Sequence, residues 1–200
     1  MRKPILGLVA ATLACCPLLV ADAEGIDYTY VDLGYVTTDI DGVGKDLDGF
    51  LLRGSLEVAA DWFLYARYLD ESVSFRGVDF DFQQYAVGGG YAWSFAENMD
   101  LYGKLGYTKA EVDVDNFGLG NADLDDDGYE IGVGIRARPA ELLELEGAIN
   151  YVDLSDSGDD TSLGVAARWF ITDAIALGVE GEFADDADTL GIVFRWQFGN

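Results

Sequence analysis

From residue 26 to the end of the chain, apolar and polar side chains take alternate positions with few interruptions. The closing run GIVFRWQFGN sets the pattern. Ile192, Phe194, Trp196 and Phe198 share one parity, and Gly191, Val193, Arg195 and Gln197 the other. A period of two belongs to strands, because apolar positions on an amphipathic helix recur every three to four residues. The alternating segments cover 26–37, 49–59, 62–70, 82–95, 99–110, 127–138, 142–152, 161–171, 174–184 and 188–198. Their connections alternate as well. Those at 60–61, 96–98, 139–141 and 172–173 are tight, whereas 38–48, 71–81, 111–126, 153–160 and 185–187 are mostly longer and rich in Asp and Gly. This organisation predicts an all-β, antiparallel up-and-down sheet of ten strands, with eight as the alternative.

Alternation does not say which face meets which solvent, since a soluble sandwich buries its apolar side against a second sheet. One register carries Val31, Leu33, Leu52, Leu56, Ile131, Val133, Leu143, Leu145, Leu177 and Val179. The other collects Asp32, Arg53, Glu57, Arg67, Lys104, Glu130, Arg136, Arg138, Glu144, Glu146, Arg168, Glu180 and Arg195. The aromatic residues decide. Trp62, Trp93, Trp169 and Trp196 all lie on the apolar register, each beside a tight turn or the C-terminus. At the opposite strand ends the same register carries Tyr35, Tyr68, Tyr85, Tyr107, Tyr129 and Tyr151, with Phe50 and Phe183. Amphipathic rings prefer the boundary between hydrocarbon and water, so two belts of them mark the two faces of a bilayer. The sheet therefore closes into a transmembrane barrel with its oily register outward and its charges in the lumen.

Composition is consistent with that sorting. The net charge is −25, from 12 basic and 37 acidic residues with no histidine, yet half of the residues are hydrophobic. Such an acidic excess argues against nucleic acid as a partner. Arg2 and Lys3, the apolar run 5–20 and Ala21-Asp22-Ala23 together read as a cleaved signal peptide over 1–23. The remaining 24–200 form one domain, and Cys15 and Cys16 fall within the leader. Beyond it no apolar run reaches the roughly 20 residues of a spanning helix.

The leader, the opening YTYVDLGYV (28–36) and the aromatic-alternating C-terminus resemble the small outer-membrane β-barrel family of Gram-negative bacteria, which includes the OmpA transmembrane domain and OmpX. The resemblance spans 24–200. It implies an outer-membrane location with both termini in the periplasm, and a monomer surrounded by outer-membrane lipid and lipopolysaccharide. It also implies that Phe194, Trp196 and Phe198 form the signal read by the outer-membrane assembly machinery. Family members usually end on Phe, whereas here Gly199 and Asn200 follow Phe198.

An eight- to ten-stranded barrel is narrow enough for side chains to fill. The inward charges are therefore expected to pair into a network that closes the lumen, with the tight turn at Pro139-Ala140 setting Arg136 across from Glu144. A porin-like channel for ions or small molecules, and an adhesin, are the alternatives. DLDDDG (123–128) opens like a calcium-binding EF-hand loop, but the bidentate Glu expected at its twelfth position falls on Gly134. Looser binding of Ca²⁺ or Mg²⁺ by Asp123, Asp125 and Asp127 is the remaining metal reading, and no other cofactor is expected. No enzyme activity is expected either: the barrel hydrolases use a histidine base, which this chain lacks.

Overall fold

The computed structural model describes residues 25–42, 44–75, 78–116 and 120–198. The leader over 1–23 with its cysteines, and the final Gly199-Asn200, lie outside the described residues. Ten strands follow one another: β1 (Tyr30–Ile40), β2 (Leu47–Ala59), β3 (Trp62–Phe75), β4 (Val78–Ala96), β5 (Met99–Asn116), β6 (Gly120–Ala140), β7 (Leu143–Leu154), β8 (Gly158–Thr172), β9 (Ile175–Phe183) and β10 (Ala187–Gln197). Each pairs antiparallel with its sequence neighbours, and β10 pairs with β1 over Tyr30↔Gln197 to Ile40↔Ala187, closing the barrel. Where the ladder is closed all round, no strand edge is left with unpaired amides, the condition for placing a sheet in hydrocarbon.

The outward register is apolar and exposed. Trp62, Trp93, Trp169 and Trp196 are each 55–57% exposed, as no soluble core would leave them. Tyr35, Tyr85, Tyr107 and Tyr129 are exposed at the opposite ends of their strands, and Tyr68 and Tyr151 are partly covered. Neighbouring rings touch along this outer belt. Tyr35 meets Phe50 at 5.9 Å between centroids, Tyr68 meets Tyr85 at 5.0 Å and Tyr129 meets Tyr151 at 6.3 Å.

The strands differ from the expected segments in two ways. The connections expected at 71–81, 111–126 and 153–160 are largely ladder, with β3 and β4 paired as far as Phe75↔Val78, β5 and β6 as far as Asn116↔Gly120, and β7 and β8 as far as Leu154↔Gly158. Their aspartates suggested loops. Yet VDFDF (78–82) and AEVDVD (110–115) keep the period of two with reversed polarity: Phe80, Phe82 and Val112 take the inward parity, and Asp79, Asp81, Glu111 and Asp113 the outward one. Above the outer aromatic belt the outside of the barrel meets water, so charge moves outward and apolar groups inward.

The second difference is at the N-terminus, where β1 begins at Tyr30 instead of residue 26. Ile26, Tyr28 and Thr29 are buried inside the barrel mouth, so this segment folds into the lumen. At this same end of the barrel, all four tight turns carry a register shift, at Glu57/Ala59, Ser94/Ala96, Ala137/Ala140 and Phe170/Thr172.

Candidate functional site

The lumen is crossed by a continuous chain of ion pairs. Asp32, fully buried on β1, accepts bonds from Arg53 on β2 (2.8 Å from Nη2) and from Arg195 on β10 (2.7 Å from Nε, 2.8 Å from Nη2). Arg53 continues to Glu180 on β9 at 2.8 Å. Arg195 reaches across the lumen to Glu144 on β7 at 3.1 Å. Glu144, 1% exposed, also takes Arg136 at 2.9 Å and Arg168 at 3.0 Å. Arg168 passes on to Glu146 at 2.7 Å, and the Tyr102 hydroxyl donates to the same carboxylate at 2.6 Å. Four guanidinium groups thus meet four carboxylates, and the connected set is neutral. Two outlying pairs, Arg67–Glu182 at 3.6 Å and Lys104–Glu130 at 3.5 Å, keep the balance. Buried ions are tolerated when each has charged partners and its hydrogen bonds are satisfied; removing one partner leaves an uncompensated charge.

Arg136 and Glu144 do pair, but by a different register. The bulge before Ala140 sets Arg136 opposite Glu146, so Arg136 reaches Glu144 diagonally. Glu57 keeps the inward parity yet is exposed at the tight-turn mouth, apart from the buried lattice. Arg138 lies over the Phe170 ring at 4.2 Å.

Below the ion pairs sits an aromatic plug that the charge pattern did not reveal. Tyr28, from the infolded N-terminal segment, stacks on Phe63 at 4.8 Å and meets Tyr102 edge-on at 6.4 Å. Arg136 packs over Tyr28 at 4.5 Å, and Arg195 over Tyr30 at 3.6 Å. Three inward rings fit because each faces an inward glycine on the next strand: Phe63↔Gly90, Tyr65↔Gly88 and Tyr102↔Gly134. A methyl group at Gly134 would stand 2.6 Å from the Tyr102 ring. The signal was present in the sequence as inward glycines opposite inward aromatics. Tyr65 also donates to Glu130 at 2.7 Å, tying β3 to β6 across the lumen. Between plug and mouth remains a polar cavity of about 120 Å³ lined by Arg53, Lys104, Glu130, Asn150 and Glu180.

At the outer end, Asp125 and Asp127 are exposed on one face of β6, and the side chain of Asp123 lies outside the described ones. Asp125 pairs with Lys109 at 3.5 Å. Asp126 turns the other way and accepts the backbone amides of Asp156 (3.1 Å) and Ser157 (2.7 Å). Hydrogen bonding from Ser157 is the main reason its carboxyl is held below the usual aspartate range. Among the described residues no three acidic side chains converge as a metal cage. Phe194, Trp196 and Phe198 point outward at the closing seam, with the last two rings 5.4 Å apart.

A closed antiparallel barrel with aromatic belts on its oily exterior and an ionic interior is an integral β-barrel of the bacterial outer membrane. The chain belongs to the family described as outer membrane protein beta-barrel domain, which matches residues 7–183. It is 24% identical to the attachment invasion locus protein of Yersinia pseudotuberculosis serotype I over 160 residues, covering 74% of this chain and 88% of that one. The crystal structure of Ail, the attachment invasion locus protein of Yersinia pestis, aligns at 21% identity over 86% of this chain and 99% of its own, with a TM-score of 0.47. The NanC porin aligns at 7% identity over 84% of this chain and 100% of its own, with a TM-score of 0.54, a likeness of fold alone.

Proposed function

We propose that this protein is a closed-lumen, non-catalytic outer-membrane barrel that acts through its outer end, as a surface-interaction or attachment protein. The observation that carries the reading is the neutral ion-pair chain joining β1, β2, β6, β7, β8, β9 and β10 across the lumen. A barrel sealed in this way has little use as a conduit, whereas its β3–β4 and β5–β6 hairpins extend well beyond the outer belt with acidic exteriors. The Yersinia pseudotuberculosis relative is an attachment invasion locus protein, which supports the same direction. Lipid and lipopolysaccharide would meet the two aromatic belts, and the assembly machinery would read Phe194, Trp196 and Phe198.

The test is surface display in a non-adherent Gram-negative host. A variant in which 112–124 is replaced by an Asn-Gly turn removes the outer part of the β5–β6 hairpin and keeps the ladder in register. The intact protein should raise retention on matrix-coated surfaces, and the shortened variant should return it to background at equal amounts of folded barrel. Equal retention for both, or none for either, contradicts the proposal.

A further inference from the structure

The reversal of polarity above the outer belt creates a cavity that neither barrel insertion nor lumen closure requires. Its volume is about 420 Å³, within the range of small-molecule sites. Its walls are inward-register side chains of the protruding ladder, chiefly Leu47, Leu69, Phe80, Phe82, Val112 and Leu154. Hydrocarbon does not reach this height, and the groups do not pack tightly enough to be merely a core for the hairpins: the cavity remains between them, and Phe80 is 39% exposed.

The polar groups at this cavity discriminate between ligands. Arg67 is engaged by Glu182 at 3.6 Å. Glu71 is 2% exposed and accepts the Thr38 hydroxyl at 2.6 Å. Among the described residues no cation is in ion-pair contact with Glu71: the nearby Arg67 acts on it only from a distance and is turned to Glu182, although buried carboxylates ordinarily acquire a direct partner. Asp160 stands at the rim on the inward register. An anionic ligand would meet Glu71, Asp160 and Glu182 against one already occupied arginine. A neutral ligand would leave Glu71 without a counterion in contact.

We infer that this outer vestibule binds a small cationic amphiphile, its apolar body among Leu69, Phe80, Phe82 and Leu154 and its ammonium or amidinium head on Glu71. The acidic exterior of the hairpins, Asp70, Asp79 and Asp81 among them, raises the local concentration of such cations at the mouth. The site is independent of the attachment reading, because it requires no macromolecular partner.

The experiment uses the protein in zwitterionic phospholipid nanodiscs free of lipopolysaccharide, with empty nanodiscs subtracted. Dansylcadaverine supplies an apolar ring with an ammonium head, and dansylglycine the same ring with a carboxylate. Dansylcadaverine should give saturable, blue-shifted emission with one site per barrel, and dansylglycine none. Glu71→Gln should weaken the cationic probe by at least about tenfold. Leu154→Trp, which fills the cavity without touching a charge, should abolish saturable binding while the barrel keeps its heat-modifiable mobility. Should Glu71→Gln fail to assemble, the Leu154→Trp arm and the contrast between probes still decide. Equal binding of the two probes, binding indifferent to Leu154→Trp, or no saturable signal overturns the inference.

Discussion

Below the outer aromatic belt, charge points into the barrel and hydrocarbon points out; above it, the same continuous strands carry the opposite assignment. On β5, Leu105 faces lipid and Lys104 the lumen, whereas a few residues further on Glu111 faces water and Val112 the vestibule. The backbone does not change, only the solvent outside it. Polarity along a barrel strand therefore reports the medium at each height, and the height at which it inverts locates the membrane surface. The lower region is held by charge sealed away from water, the upper by contacts that water can reach.

The largest expected difference lies in the ion pairs. Glu144→Ala leaves Arg136, Arg168 and Arg195 without a shared carboxylate and should cost about 3–5 kcal/mol or block assembly. Glu111→Ala removes a half-buried, water-facing partner of Lys109 in the upper region and should cost at most about 1 kcal/mol. Urea unfolding in lipid vesicles, followed by tryptophan emission, measures both. Comparable losses would erase the distinction between the regions.

Two exposed leucines sharpen it. Leu105 is 59% exposed and Leu124 67% exposed, so accessibility alone treats them alike. Leu105→Arg should cost about 2–4 kcal/mol because its exposure is to hydrocarbon. Leu124→Arg should stay within about 0.5 kcal/mol because its exposure is to water. The same unfolding assay separates them.

Gly134→Ala, which drives a methyl group against the Tyr102 ring, should destabilise by about 1–3 kcal/mol, and should cost less than that when introduced into a Tyr102→Ala background. Additive losses would mean that the glycine–aromatic pairs are not packed as described.

The smallest effect is one of pH. The Asp126 carboxyl is held low by hydrogen bonds, so its grip on the Asp156 and Ser157 amides is complete above the ordinary aspartate range and weakens as pH falls through the lowered value. Amide exchange corrected for intrinsic pH dependence should show those two protons losing protection on acidification before the amides of the lower ladder. Simultaneous loss would place Asp126 in the lower region's cooperative unit.

Much of this architecture could be read from the residues because a period of two survives every substitution that keeps parity. Strand count, closure, lipid-facing tryptophans and inward arginines all follow from parity plus the placement of aromatics. Strand ends did not follow, since VDFDF and AEVDVD contain the aspartates of a loop and the alternation of a strand; only the change of external solvent reconciles the two. Partner choice within the lattice was legible in kind but not in register, because the bulge before Ala140 moved Glu146 opposite Arg136. The infolded Tyr28 was not legible, for its parity continues that of β1 and nothing local marks the chain as leaving the sheet.

The central claim is that opposed charges close the barrel beneath its outer vestibule. Single-molecule recording in planar bilayers at neutral pH addresses it directly. The purified protein should insert and produce no stable conductance steps. Reproducible unitary currents from the folded monomer would contradict a sealed lumen and return the barrel to the channels.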